Sequence, residues 1–191
     1  MDAFNNMKDA LNQIVQQLQV IEDQLNSLFT ELEITKEEII ANTNDPTDAI
    51  TQINTFHDNL NNMSNGKNPG ECKQVDILDF ANTVETNYQI ENDVNQIHDA
   101  ILPPTLAKTP VIENFTTLAL NNINPKGKNP VDAYNGIERY FSQLMLYQLK
   151  GVNLVVETKN AKKKAGVSEP VDASTYWNAF MTKKYQPQVD N

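Results

Sequence analysis

The stretch Leu11-Asn12-Gln13-Ile14-Val15-Gln16-Gln17-Leu18-Gln19-Val20-Ile21-Glu22-Asp23-Gln24-Leu25-Asn26-Ser27-Leu28-Phe29-Thr30-Glu31-Leu32 decides the fold class. Its apolar residues Leu11, Ile14, Leu18, Ile21, Leu25, Leu28 and Leu32 alternate at spacings of three and four. That is the a/d seam of a heptad, and it puts all of them on one face of an α-helix. Val15, Phe29 and Ile39 widen the seam into the broader stripe that a helix inside a bundle buries. No proline or glycine interrupts residues 4 to 41, so the pattern predicts one helix from about Phe4 to Ala41, roughly 55 Å long.

Outward from this helix the pattern stays helical. Asp45 and Pro46 supply an N-cap and a first helical residue, and Ile50, Ile53, Phe56 and Leu60 mark a second helix ending before Ser64. Gly66-Lys67-Asn68-Pro69-Gly70 is turn chemistry. A third helix is expected over Val75–Leu102, with a polar break near Glu91-Asn92 and a stop at Pro103-Pro104. A fourth spans about Pro110 to Asn122, and Asn124 to Pro130 reads as a loop.

The fifth helix, about Val131 to Lys164, is apolar nearly all round between Ile137 and Val156, the mark of a bundle's buried centre. Gly151 inside it costs about 1 kcal/mol of helix propensity relative to alanine, which implies that another helix passes close there. Tyr176, Trp177, Phe180, Met181 and Tyr185 form a short aromatic helix after Pro170, placed as a lid across one end. Strand patterns are scarce and no repeat of fixed period is present. The fold expected is therefore all-α: a bundle of five to six helices with a long N-terminal amphipathic helix and a largely apolar central helix. Residues 1–186 form one domain in this scheme, and 187–191 a tail or linker.

The composition narrows the partners. A net charge of −10 and a pI near 4.6 exclude nucleic acid as a partner, because phosphate binding needs a positive face that releases counterions. Arg139 is the only arginine, so bidentate clamps on carboxylate or phosphate are scarce. Cys72 is the only cysteine and no intrachain disulfide can form. Met1 to Asn6 has neither a basic region nor an apolar run, so no signal peptide is expected, and no segment matches a membrane span. A cytoplasmic protein or one released by a non-classical route fits.

No catalytic constellation stands out. His57 and His98 fall on different helices without a ligand partner four residues away, so zinc and di-iron spacings are missing. Each histidine is expected half-buried and satisfied inside the bundle. No GxSxG elbow, phosphate loop or dinucleotide fingerprint occurs, and no cofactor is implied. Lys159, Lys162, Lys163 and Lys164 close the fifth helix, where cations complement the helix dipole. They also form a candidate basic patch, which Lys183 and Lys184 could extend, for acidic partners or lipid headgroups.

Ile137-Glu138-Arg139-Tyr140-Phe141, then Gln148-Leu149-Lys150-Gly151 and Leu154-Val155-Val156-Glu157, resembles the central-helix region of helical domains in bacterial pore-forming and insecticidal toxins of the broad Cry and Pir type. The likeness of sequence covers about twenty residues and that of architecture most of the chain. It implies a non-enzymatic toxin-like domain that inserts into membranes or serves as one component of a toxin assembly. The actors would be the amphipathic helix around Leu18, Leu25 and Leu32 and the apolar helix around Phe141, Leu144, Gly151 and Val152. The residues alone also allow a scaffold that uses the 11–39 seam to bind itself or another protein.

Overall fold

The computed structural model describes residues 2–64, 82, 89–105, 107–126 and 129–190. Among them every regular element is helical, in the order α1 (Asp2–Leu32), α2 (Lys36–Ile40), α3 (Thr47–Ser64), α4 (Ile90–Ile101), α5 (Val111–Lys126), α6 (Pro130–Lys164), α7 (Ala173–Phe180), a π-helical turn (Met181–Tyr185) and α8 (Gln186–Asp190). The all-α bundle is thus present, with more and shorter pieces than five or six. The 66–70 turn, Cys72 and the first half of the expected third helix lie outside the described residues.

The long α6 is the centre of the bundle: α1, α3, α4, α5 and α7 all pack on it. Asn129 caps it by accepting from the Val131 amide at 3.0 Å, and Pro130 is its first residue. It ends where Gly166 adopts φ +79, which lets the Val167 amide reach back to the Lys162 carbonyl at 3.0 Å. Gly151 makes the centre possible. A Cβ placed there would lie 2.6 Å from Val94 Cγ2 on α4 and 2.9 Å from Ile53 Cδ1 on α3. At the other end Phe29, Phe115 and Tyr140 stack edge to face, with centroids 5.3 to 6.2 Å apart, and tie α1 and α5 to α6.

The N-terminal helix does not run to Ala41. It stops at Leu32, because Glu33 turns left-handed (φ +55) and the amides of Glu33 and Ile34 bond back to Thr30 and Phe29 at 3.3 and 3.0 Å. Thr35 then opens α2 with a capping box: Glu38 N–H donates to Thr35 Oγ1 at 3.2 Å, and Thr35 N–H donates to the Glu38 carboxylate at 2.8 Å. Ile34 and Ile39, on either side of the box, are both buried. Asn114 of α5 clamps the far end of α2, donating to the carbonyls of Glu38, Ile39 and Ala41 at 2.9, 2.7 and 3.2 Å.

Other boundaries also shift. The polar pair Glu91-Asn92 is the first turn of α4, whose N-cap Gln89 is left-handed (φ +40). Helix α5 continues through Pro125 to Lys126; the proline removes one donor only one residue before the helix ends, so a single turn bears the cost. The expected tail is helical instead: Gln186–Asp190 folds as α8 and buries Gln188.

Two substitutions test this frame. Gly151→Val forces a branched side chain against Val94 and Ile53 and should lower unfolding stability by about 1–3 kcal/mol in urea titration. Thr35→Ala removes the side-chain half of the capping box, leaving only the backbone amide of residue 35 to Glu38, and should cost about 1 kcal/mol with the bundle otherwise intact by circular dichroism.

Candidate functional site

The seam of α1 faces inward. Leu11, Leu18, Leu25, Leu32 and Ile39 are all buried in the core, as are Leu144 and Val152 of α6. The buried positions of the 11–39 seam are thus packed within the chain, with α1 lying against α6 and α2, which carries Ile39, against α5. Gly151 lies beneath α3 and α4. Of the actors expected on the two long helices (Leu18, Leu25, Leu32, Phe141, Leu144, Gly151 and Val152), Phe141 alone is partly open to solvent.

Phe141 lines a surface groove. This groove of about 720 Å³ runs between α1, α6 and the C-terminal segment. Its apolar lining is Val20, Ile21, Phe141, Met145, Leu146 and Leu149, one wall is Gln13, Gln16 and Gln17, and Tyr185 and Val189 close the rim. None of these residues is charged, although the chain carries −10. Gln13, Gln16, Gln17, Val20 and Ile21 follow helical spacing on α1, on a face beside the buried seam. Val20 and Val189 are 57% and 51% exposed. The signal was present in the sequence as an uncharged run at i, i+3, i+4 spacing, but the seam next to it is more apolar and dominated the pattern.

The basic cluster at the end of α6 is split. Lys159 and Lys162, three residues apart, share the inward face with Val155 and Thr158 and are buried, whereas Lys163 and Lys164 point to solvent. Lys159 Nζ lies 3.0 Å from Glu91 and 3.7 Å from Glu169, and Lys162 Nζ lies 3.1 Å from Glu169. Lys184 turns to Asn95 on α4 rather than extending a surface patch. The four lysines expected to form one basic surface therefore do not, because helical periodicity turns two of them into the bundle. Lys159 borders a second cavity, about 430 Å³, together with Glu91, Glu169 and Tyr176. Its ammonium sits 5.6 Å from the centre of the Tyr176 ring.

More polar groups are buried between α3, α4 and α6. Lys150 donates to Asn54 at 2.8 Å, and burial pushes its ammonium down to about 8. Beside it the buried His57 is held below its ordinary value by burial and by the Lys150 charge, against the opposing pull of Asp58. Gln148 donates to the Val94 carbonyl at 3.3 Å. Asp93 is buried with Oδ2 lacking a hydrogen bond, and burial pushes its carboxyl up to about 6. Both histidines were expected half-buried and satisfied: His57 is fully buried, whereas His98 is half-buried with Nδ1 lacking a hydrogen bond, and burial together with Lys184 lowers its pKa. Among the described residues no three of His, Cys, Asp and Glu converge as metal ligands, and no helix is long and apolar enough to cross a membrane.

No protein-family model, curated protein or solved structure matches this chain.

The folded pKa of Asp93 lies above the ordinary aspartate value of about 3.8, so the folded state holds the proton more tightly and loses stability as pH rises from about 4 through about 6. Ionisation of the buried carboxyl costs about 3 kcal/mol at neutral pH. Asp93→Asn should therefore be more stable than the parent by about 1–3 kcal/mol at pH 8, with the gain vanishing near pH 4, in denaturation series run across that range.

Proposed function

We propose that this chain is a non-enzymatic helical bundle, toxin-like in architecture, that works as one component of an assembly by receiving an apolar helix of a protein partner in the α1–α6–α8 groove. The observation that carries this reading is the uncharged groove itself. An acidic protein that exposes an apolar floor beside an amide wall offers a helix both a surface to bury and side-chain hydrogen bonds at its edge. From Gln13 to Ile21 the wall spans about 12 Å, room for roughly two turns of a docked helix. Absence of charge also means that neither an acidic nor a basic partner is repelled at the contact.

Direct membrane insertion draws less support. The centre of the bundle, α6, turns Lys150, Lys159 and Lys162 inward. Placing each at the middle of a bilayer costs about 2.5–3.5 kcal/mol on insertion scales.

The probe for the groove is a labelled 14-residue amphipathic peptide with a Leu/Ala stripe and neutral polar face, followed by fluorescence anisotropy. Saturable binding is expected, and Val20→Glu, an exposed position outside the core, should weaken it at least tenfold, about 1.4 kcal/mol, without changing the melting temperature. A peptide that fails to bind, together with dye release from liposomes by the chain alone, would overturn the groove reading in favour of membrane action.

A further inference from the structure

The second cavity lies on the same central helix as the groove, further toward its C-terminus. Its volume of about 430 Å³ falls in the range of small-molecule sites, about 300–1,000 Å³. Ile90, Val155, Pro170 and Val171 make its lining largely apolar, and Tyr176 adds a ring. One buried cation, Lys159, borders it.

The counter-charges of that cation are unequal. Glu169 is mostly buried and lies nearer to Lys162 (3.1 Å) than to Lys159 (3.7 Å), so it is held chiefly by the neighbouring lysine. Glu91 makes the shorter contact with Lys159, 3.0 Å, yet its side chain is 51% exposed and comes from the first turn of α4. A half-exposed carboxylate loses little on returning to water, since such pairs are worth about 0–1 kcal/mol. The ammonium it leaves behind is buried and needs another anion, because a buried charge without a partner is costly.

We infer that this cavity binds a small monocarboxylate with a compact aromatic or branched aliphatic body, whose carboxylate displaces Glu91 from Lys159. Glu91 is then an internal stand-in for the ligand. The ligand's body rests on Tyr176 and the apolar walls, while its single negative charge replaces the one that swings out, so the charge balance beside Glu169 is unchanged. A dianion such as phosphate would add charge next to Glu169 and finds no arginine fork in the cavity. A cation would have to displace Lys159 from both acids at once.

The inference is independent of the groove, and titration of the full chain with phenylacetate, isovalerate, inorganic phosphate and phenethylammonium tests it. Amide chemical shifts of α4 and of the 169–176 segment provide the readout. Saturable shifts are expected with the two carboxylates and not with phosphate or phenethylammonium. Glu91→Gln removes the internal competitor and should tighten phenylacetate binding about tenfold. Lys159→Met should abolish it. Because that variant leaves Glu91 without its lysine and Glu169 with Lys162 alone and could perturb the fold, Val171→Trp provides a second check, since Val171 is 41% exposed and a larger ring there fills the cavity without touching the ion pair. Loss of binding in Val171→Trp with an unchanged melting temperature supports the site. No saturable shift in either the parent or Glu91→Gln overturns it, as does undiminished binding by a folded Lys159→Met, or binding of phosphate or of phenethylammonium in preference to the carboxylates.

Discussion

The packing of α3 and α4 on α6 depends on the missing side chain at position 151. Val94 from α4 and Ile53 from α3 press on the same spot of α6, and the space left there is smaller than a methyl group requires. Interiors are packed near crystal density, so such a contact cannot be widened without moving whole helices. Other features follow from how closely these helices approach. Gln148 reaches the Val94 carbonyl and Lys150 reaches Asn54 because α4 and α3 lie against α6 on either side of this point. A helix that gives up about 1 kcal/mol of propensity at its middle gains two neighbours for it.

That closeness also explains why a central helix can hold so many polar groups. Lys150, Thr158, Lys159 and Lys162 are buried on α6, yet each has a partner: Asn54 for Lys150, the Leu154 carbonyl for Thr158, and Glu91 and Glu169 for the two outer lysines. Asp93 is different, since one of its carboxylate oxygens has no partner and its proton is held to about pH 6. Polar groups buried this way disfavour alternative packings, because a register shift would strand an ammonium in an apolar layer. They also tie α6 to the aqueous form of the protein. Opening the bundle into lipid would break these pairs and expose the lysines of its most central helix to hydrocarbon.

Much of the architecture was legible from periodicity. The α1 seam, the Asp45–Pro46 restart and the central position of α6 with its glycine all follow from spacing, capping and propensity acting on single helices. The split of the basic cluster was legible in principle, since lysines three apart share a face with Val155 while their neighbours do not, but adjacency in sequence masked it. Of the groove only the uncharged face of α1 was legible, and of the Lys159 cavity nothing was. Each depends on the gap between three elements distant in sequence, and a helical wheel gives the direction of a side chain without the distance to the next helix. The C-terminal helix was missed for a related reason: its five residues have little intrinsic helicity, and Gln188 is polar yet buried by contacts that no local pattern encodes.

The bend after α1 shows how a local signal defeats a strong periodic one. Leu32 and Ile39 are seven residues apart, so the heptad continues across the break, and nothing in residues 33–38 forbids a helix. A straight helix would, however, carry Ile39 away from the core it now occupies. Three terms oppose it, the first two of them local. The hydrogen bonds from Glu33 and Ile34 back to Thr30 and Phe29 satisfy carbonyls at the end of α1, the Thr35–Glu38 box satisfies the start of α2, and Asn114 satisfies the end of α2. Against them stands a left-handed glutamate, at about 1–2 kcal/mol. The capping box alone offsets about 1 kcal/mol, and burial of Ile34 and Ile39 adds about 1.5–3 kcal/mol for each side chain. The bend is therefore favoured by a few kcal/mol, and its signature in the sequence is four residues long: Thr35 and Glu38, three apart, between two isoleucines.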